Sequence, residues 1–103
     1  MRSHGFAVAL AVVSMGTAAH GQSPERGLAF ARANCARCHA IDRSNDSPLQ
    51  AAPTFRSLHK RYPVEALAEA LAEGITTGHP AMPEFTLTPP QIGDLLSFLK
   101  SLE

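Results

Sequence analysis

The chain has 103 residues, with nine Lys+Arg balanced by nine Asp+Glu, five His, two Cys, no Trp and one Tyr. This length allows one domain at most, and a formal net charge of zero gives no support to a basic nucleic-acid footprint. Two cysteines are too few for a disulfide-dense scaffold, and 45% apolar residues are too many for a disordered chain. We therefore expect one small globular domain that binds no nucleic acid.

Residues 1–21 have the pattern of a secretory signal peptide. Arg2 supplies a basic start, and an apolar stretch over Ala7–Ala19 follows it. The alternative is an uncleaved membrane anchor, but this stretch is shorter than the about 20 apolar residues that a spanning helix needs. We predict cleavage after Gly21, export to the periplasm, no stable membrane insertion afterwards, and a mature domain of residues 22–103.

The first predicted helix leads directly into both cysteines. Ser23 as N-cap and Pro24 at the first helical position begin it, and it runs to about residues 33–35. The segment Cys35-Ala36-Arg37-Cys38-His39 follows at once. C-x-x-C-H is the attachment signature of c-type haem, because each thiol can add to one haem vinyl group while the adjacent histidine ligates the iron. The motif predicts one haem c, bound covalently by Cys35 and Cys38, with His39 as an axial ligand.

Three other interpretations of the motif fit less well. A zinc site needs four ligands at tetrahedral angles, and the further candidates are His59 and His79. A thioredoxin-like redox pair expects a βαβ context, which the sequence pattern does not predict. A simple disulfide would leave His39 unexplained, together with the weak core expected of an 82-residue mature domain.

The rest of the mature chain predicts an all-α fold with three to four helices. A polar loop over residues 40–53 precedes a short helix over 54–61. Apolar residues at helical spacing predict another helix over 64–74, ended by a glycine. The last helix begins with a capping box at Thr88 and continues with leucines at helical spacing.

Met82 is the predicted sixth ligand of the iron. It lies in a proline-rich loop over residues 75–87. It follows His39 by 43 positions in the sequence, which is enough chain to reach the opposite haem face. A methionine and a histidine are the usual axial pair of cytochromes c. His79 is the alternative sixth ligand, and His59 is a further rival that we expect to be exposed among basic residues.

The whole segment from Gln22 to Glu103 resembles a small bacterial class I cytochrome c. The resemblance is carried by the C-x-x-C-H motif, by Ala52-Pro53-Thr54-Phe55, by Met82-Pro83 and by the terminal helices. It implies that the helices wrap around one covalently bound haem. It also implies that the carbonyl of Pro53 accepts the proton of the proximal histidine and so orients its ring.

The same resemblance implies two further features of the packing. The first and last helices should cross through Gly27 and Phe30 against Phe98. Members of the family often place a tryptophan near the haem propionates, and this chain has none. Tyr62, Arg56 and His59 are the three candidates for that role, and the sequence does not choose between them.

Together these features predict a periplasmic mono-haem cytochrome that carries single electrons between redox proteins. Its partners would be a dehydrogenase, an oxidase or a membrane cytochrome complex. We expect no enzymatic activity, because two axial ligands leave no open position and no acid–base pair is evident. The alternative is a dedicated electron-transfer subunit of a periplasmic dehydrogenase. A haem enzyme or gas-binding protein with a labile sixth ligand is less favoured.

Overall fold

The computed structural model describes residues 2–13, 21–74 and 81–103, and these contain helices and no β-strand. The three α-helices are α1 (Pro24–Asn34), α2 (Leu67–Glu73) and α3 (Pro89–Ser101). Two 3₁₀ helices, Phe55–Lys60 and Val64–Ala66, lie between α1 and α2. The all-α prediction is therefore confirmed for the described part of the chain.

Both long helices begin at the residues that the sequence predicts. The Ser23 side chain accepts a hydrogen bond from the amide of Arg26 at 3.1 Å, and Pro24 follows as the first helical residue. At α3 the Thr88 hydroxyl accepts from the Gln91 amide, and the Gln91 side chain accepts from the Thr88 amide. These reciprocal bonds satisfy amides that the first turn of a helix leaves without partners.

The short middle helices differ in type from the prediction. The segment predicted as a short helix over 54–61 is a 3₁₀ helix, and the segment over 64–74 is a 3₁₀ turn followed by α2. Such tight, short pieces are typical of connectors. The second segment ends at Gly74, whose φ of 95° is a conformation that favours glycine.

Helices α1 and α3 cross in close contact, and Gly27 lies at the crossing. A methyl group on Gly27 would lie 2.0 Å from the carbonyl oxygen of Asp94 and 2.7 Å from the Cβ of Phe98. The expected contact between Gly27 and Phe98 is therefore confirmed. Phe30, one turn further along α1, is half-buried and packs against the same core.

An ion pair joins α1 and α3 beside this crossing. The guanidinium of Arg26 donates to both carboxylate oxygens of Asp94, at 2.9 and 3.1 Å. The amide of Ser23 donates to the same carboxylate at 2.8 Å. Asp94 is only 9% exposed, and these bonds lower the pKa of its carboxyl group. The start of the folded domain is thus fixed to α3.

Residues 2–13 lie apart from this core. They form neither helix nor strand, and their large apolar side chains are 77–94% exposed. Within the described ranges, no helix has both the length and the apolar character needed to cross a membrane.

Candidate haem site

A cavity of about 1000 Å³ lies between the helices and the segments that connect them. This volume is at the upper end of the range of small-molecule sites, which is roughly 300–1,000 Å³. Its wall is mainly apolar and includes residues from every helix. Several apolar side chains of the wall also belong to the hydrophobic core or pack against it: Phe30, Phe55, Leu58, Leu67, Leu71, Phe85, Leu87, Leu95 and Leu99.

The C-x-x-C-H segment forms a tight turn at one side of the cavity. The amides of Cys38 and His39 donate to the carbonyl of Cys35, at 3.2 and 2.9 Å. This turn follows the end of α1, where the amides of Cys35 and Ala36 both donate to the carbonyl of Ala31. As a result, both cysteines and the histidine line the same cavity.

The two cysteines are not joined by a disulfide, and both are partly buried. Burial raises the pKa of the Cys35 thiol to about 11. Reactive and metal-binding cysteines have a lowered pKa, because the thiolate is the nucleophile and the ligand. Within the described residues, no three His, Cys, Asp or Glu side chains come together as a metal site. The zinc interpretation therefore gains no support there.

His39 has one ring nitrogen engaged and the other free for the cavity. Its Nδ1 atom donates to the carbonyl oxygen of Pro53 at 2.7 Å. A hydrogen bond of this kind fixes the tautomer and the orientation of a ligating imidazole. The ring also packs against Phe55, with centroids 5.0 Å apart. This arrangement leaves Nε2 as the nitrogen that can ligate iron.

Met82 lines the same cavity from a different part of the chain. It is half-buried and lies in a segment without helix or strand, with Pro83 and Phe85 also in the wall. The rival His59 is exposed and does not belong to the wall. The alternative ligand His79 falls at residues 75–80, outside the described residues.

The charged residues of the described cavity wall are Arg37 and Arg61, and Tyr62 adds a hydroxyl group. Arg37 lies between the two cysteines. Arg61 also lines a smaller polar cavity of about 610 Å³ that shares Pro53 with the larger one. Sequence reasoning missed Arg61, although its neighbour Tyr62 was one of the three open candidates for the propionates.

The other two open candidates lie elsewhere. The guanidinium of Arg56 donates to the carbonyl oxygen of Asn45 at 2.7 Å and lies 3.9 Å from the carboxylate of Asp42. His59 is exposed on the 3₁₀ helix. Of the three candidates, only Tyr62 therefore lines the haem cavity.

An apolar cavity of this size, with two thiols and a preoriented imidazole at one side, fits a covalently attached haem and defines a c-type haem protein. A family model described as cytochrome c matches residues 24–103. The chain therefore belongs to the cytochrome c family, whose members bind haem c covalently. The class I fold expected from the sequence is confirmed by the same match and by the helical architecture.

Two relatives support this assignment. The chain is 30% identical to a cytochrome c-552 of Bradyrhizobium diazoefficiens over 98 residues, which cover 95% of this chain and 92% of the relative. It is 32% identical to a cytochrome c-553-like protein of Synechocystis over 78 residues, covering 76% of this chain and 68% of that protein. These similarities support a small c-type cytochrome that acts in electron transfer with redox partner proteins.

Proposed function

We propose that the protein is a periplasmic carrier of single electrons, with haem iron ligated by His39 and Met82. The observation that carries this proposal is that both side chains line one mainly apolar cavity, although 43 residues separate them. When bound, the haem supplies a reversible one-electron Fe(III)/Fe(II) couple. A histidine and a methionine as axial ligands favour a high reduction potential.

The chain's own residues would hold the haem at three places. Cys35 and Cys38 would attach it covalently, and the turn between them would place His39 at the iron. The carbonyl of Pro53 keeps the imidazole in its ligating orientation through the bond to Nδ1. The apolar wall would exclude water from the iron.

Arg61 and Tyr62 are the residues that we propose for the haem propionates. The vinyl and propionate groups of haem lie at different edges of the ring. Arg37 would stand beside the thioethers, because it lies between the two cysteines. Arg61 is the other cation of the described cavity wall and also lines the polar cavity beside it.

The domain boundaries are also part of this proposal, with residues 1–21 as a cleaved signal peptide and 22–103 as the mature cytochrome. Two observations support it: the exposed apolar side chains of residues 2–13, and a family match that begins at residue 24. Mass spectrometry of the protein from a periplasmic fraction tests it. A mass that retains the first 21 residues would contradict cleavage.

The decisive experiment on function is spectroscopic. The purified ferric holoprotein should show the absorption band of thioether-to-iron ligation, and Met82→Ala should abolish it. His79→Ala serves as the matched control and should leave the band intact. If His79→Ala alters the spectrum and Met82→Ala does not, the sixth ligand is His79.

Electron transfer and catalysis are separated by a second experiment. A small inorganic reductant should reduce the haem rapidly in a stopped-flow instrument, while peroxide turnover stays at background. Substantial turnover by the native protein would instead favour a haem enzyme. Co-purification with a dehydrogenase at fixed stoichiometry would favour the subunit alternative.

A further inference from the structure

The distal segment, residues 81–87, returns to α2 after passing the cavity. The amide of Leu87 donates to the carbonyl of Leu71 at 2.9 Å, and both leucines are buried in the core. The distal segment carries Met82, so the bond between these leucines fixes one end of the segment that carries the proposed ligand.

A second contact lies nearer to Met82. Gly74, at the end of α2, has a φ of 95°, and the side chain of Glu84 lies directly over it. A methyl group on Gly74 would lie 2.7 Å from the Oε1 atom of Glu84 and 3.2 Å from its Cγ atom. Gly74 therefore has a conformation that favours glycine, and a side chain added there would have to displace the exposed side chain of Glu84.

We propose that the contact between Gly74 and Glu84 positions Met82 and sets how readily another ligand displaces it from the iron. This inference rests on Met82 being the sixth ligand. Glu84 is two residues beyond Met82, and Pro83 between them has a fixed φ angle. Pro83 therefore removes one of the backbone torsions that could absorb a displacement of Glu84 before it reaches Met82.

Gly74→Ala tests this role, with imidazole as the competing ligand of the ferric holoprotein. An alanine at Gly74 strains the state in which Met82 is bound, and that strain is relieved once imidazole replaces the thioether. Positive φ angles cost a non-glycine residue enough to shift an equilibrium by about tenfold. We expect imidazole to bind about tenfold more tightly than to the native protein, with a weaker thioether-to-iron band.

The Glu84 side chain is tested in the same assay. Glu84→Ala keeps the glycine and should tighten imidazole binding only slightly, because it removes the cover over Gly74. In the Gly74→Ala background the same change should weaken imidazole binding only in part, because it removes the steric clash and leaves the strain of the positive φ angle. This reversal of sign is specific to a direct contact between the two positions. If Glu84→Ala has the same effect in both backgrounds, the proposed contact is wrong.

Two control variants separate positioning from general destabilisation. Gly93→Ala on α3 adds the same methyl group, 2.9 Å from the flexible side chain of Gln22, and whatever its effect on the melting temperature it should leave imidazole affinity unchanged. Glu73→Ala removes the same charge from an exposed position at the end of α2 and should change neither. A change in imidazole affinity with Gly93→Ala as large as that with Gly74→Ala would overturn the proposal.

The result for Met82→Ala distinguishes this inference from the proposed function. If Met82→Ala opens the iron but Gly74→Ala leaves imidazole affinity unchanged, the positioning role is wrong and the ligand assignment stands. If Met82→Ala leaves the spectrum unchanged, the ligand assignment fails and the positioning role fails with it.

Discussion

The two walls of the haem cavity are built in different ways. On the proximal wall, the proposed ligand His39 is adjacent in sequence to Cys38 and is held by the Pro53 carbonyl at 2.7 Å. On the distal wall, the proposed ligand Met82 lies in a segment without helix or strand. That segment is fixed by contacts with α2, at Leu71 and at Gly74.

This difference indicates how each ligand responds to change. Local backbone bonds and the two proposed covalent attachments restrict the proximal side, so a change there should affect whether haem is held at all. The distal side depends on contacts between elements distant in sequence. Such regions open at lower free energy than the core. A distal change should therefore alter the properties of the haem while leaving it bound.

The largest expected effect comes from removing both proximal attachments. Cys35→Ser combined with Cys38→Ser should leave no haem that survives extraction with acidified acetone. The helical far-UV signal should also fall, because a domain of this size has a small core and the cavity would lose its filling. Cys35→Ser alone should keep one thioether and retain haem in the protein fraction. Retention of haem by the double variant would contradict covalent attachment through these residues.

Met82→Ala should break the distal side and spare the proximal one. The haem should stay covalently bound, and cyanide should bind the ferric iron readily. The reduction potential should fall by more than about 59 mV, which corresponds to a tenfold change in a one-electron equilibrium, because a soft thioether favours ferrous iron. Potentiometric titration measures this shift. An unchanged potential would exclude Met82 as a ligand.

The crossing of α1 and α3 joins the two walls, because α1 leads into the proximal turn and α3 contributes Leu95 and Leu99 to the cavity. Gly27→Ala would bring a methyl group within 2.0 Å of a carbonyl oxygen on α3. Backbone atoms cannot rotate away, so we expect a cost of about 3 kcal/mol, the upper end of typical overpacking effects. Chemical denaturation of the holoprotein measures it. Unchanged stability would show that the helices can separate at no cost.

The helix starts and the proximal turn were predictable from local sequence patterns, the Pro53 contact and the helix crossing were implied by the family resemblance, and much of the distal wall was not predictable. Caps at Ser23 and Thr88 and the C-x-x-C-H motif are short-range signals, and each was found where the sequence placed it. The contact between Gly74 and Glu84 depends on how a loop returns to a helix, and no local pattern encodes it. Arg61 was missed for a similar reason, because its place in two cavity walls follows from the path of the connecting segment.

A substitution of Arg61 should have a smaller effect than a change in either wall of the cavity. Its charge would act on the haem without touching either axial ligand. Arg61→Gln should lower the reduction potential by a few tens of millivolts, because a nearby cation favours the less positive ferrous state. Arg32→Gln is the matched control: it makes the same charge change at an exposed residue of α1 that lies outside the cavity wall. Equal shifts in both variants would indicate a general charge effect and no specific role for Arg61.

The smallest expected effect concerns the ion pair that stabilises the crossing, and it depends on pH. The Asp94 carboxyl group accepts hydrogen bonds from Arg26 and from the Ser23 amide, and these lower its pKa below the ordinary value of 3.8. A carboxyl group with a lowered pKa in the folded state binds protons more weakly than in the unfolded chain. It therefore stabilises the fold above the unfolded-state pKa, and this contribution is lost as the pH falls through the folded-state value.

Asp94→Asn should lower the melting temperature of the holoprotein at pH 7, and the difference from the native protein should shrink steadily below about pH 4. Thermal melts of the two proteins, followed by circular dichroism at pH 7 and again below pH 4, measure this difference. If the difference is equal at pH 7 and below pH 4, the ionised carboxylate is not what holds the start of α1 against α3.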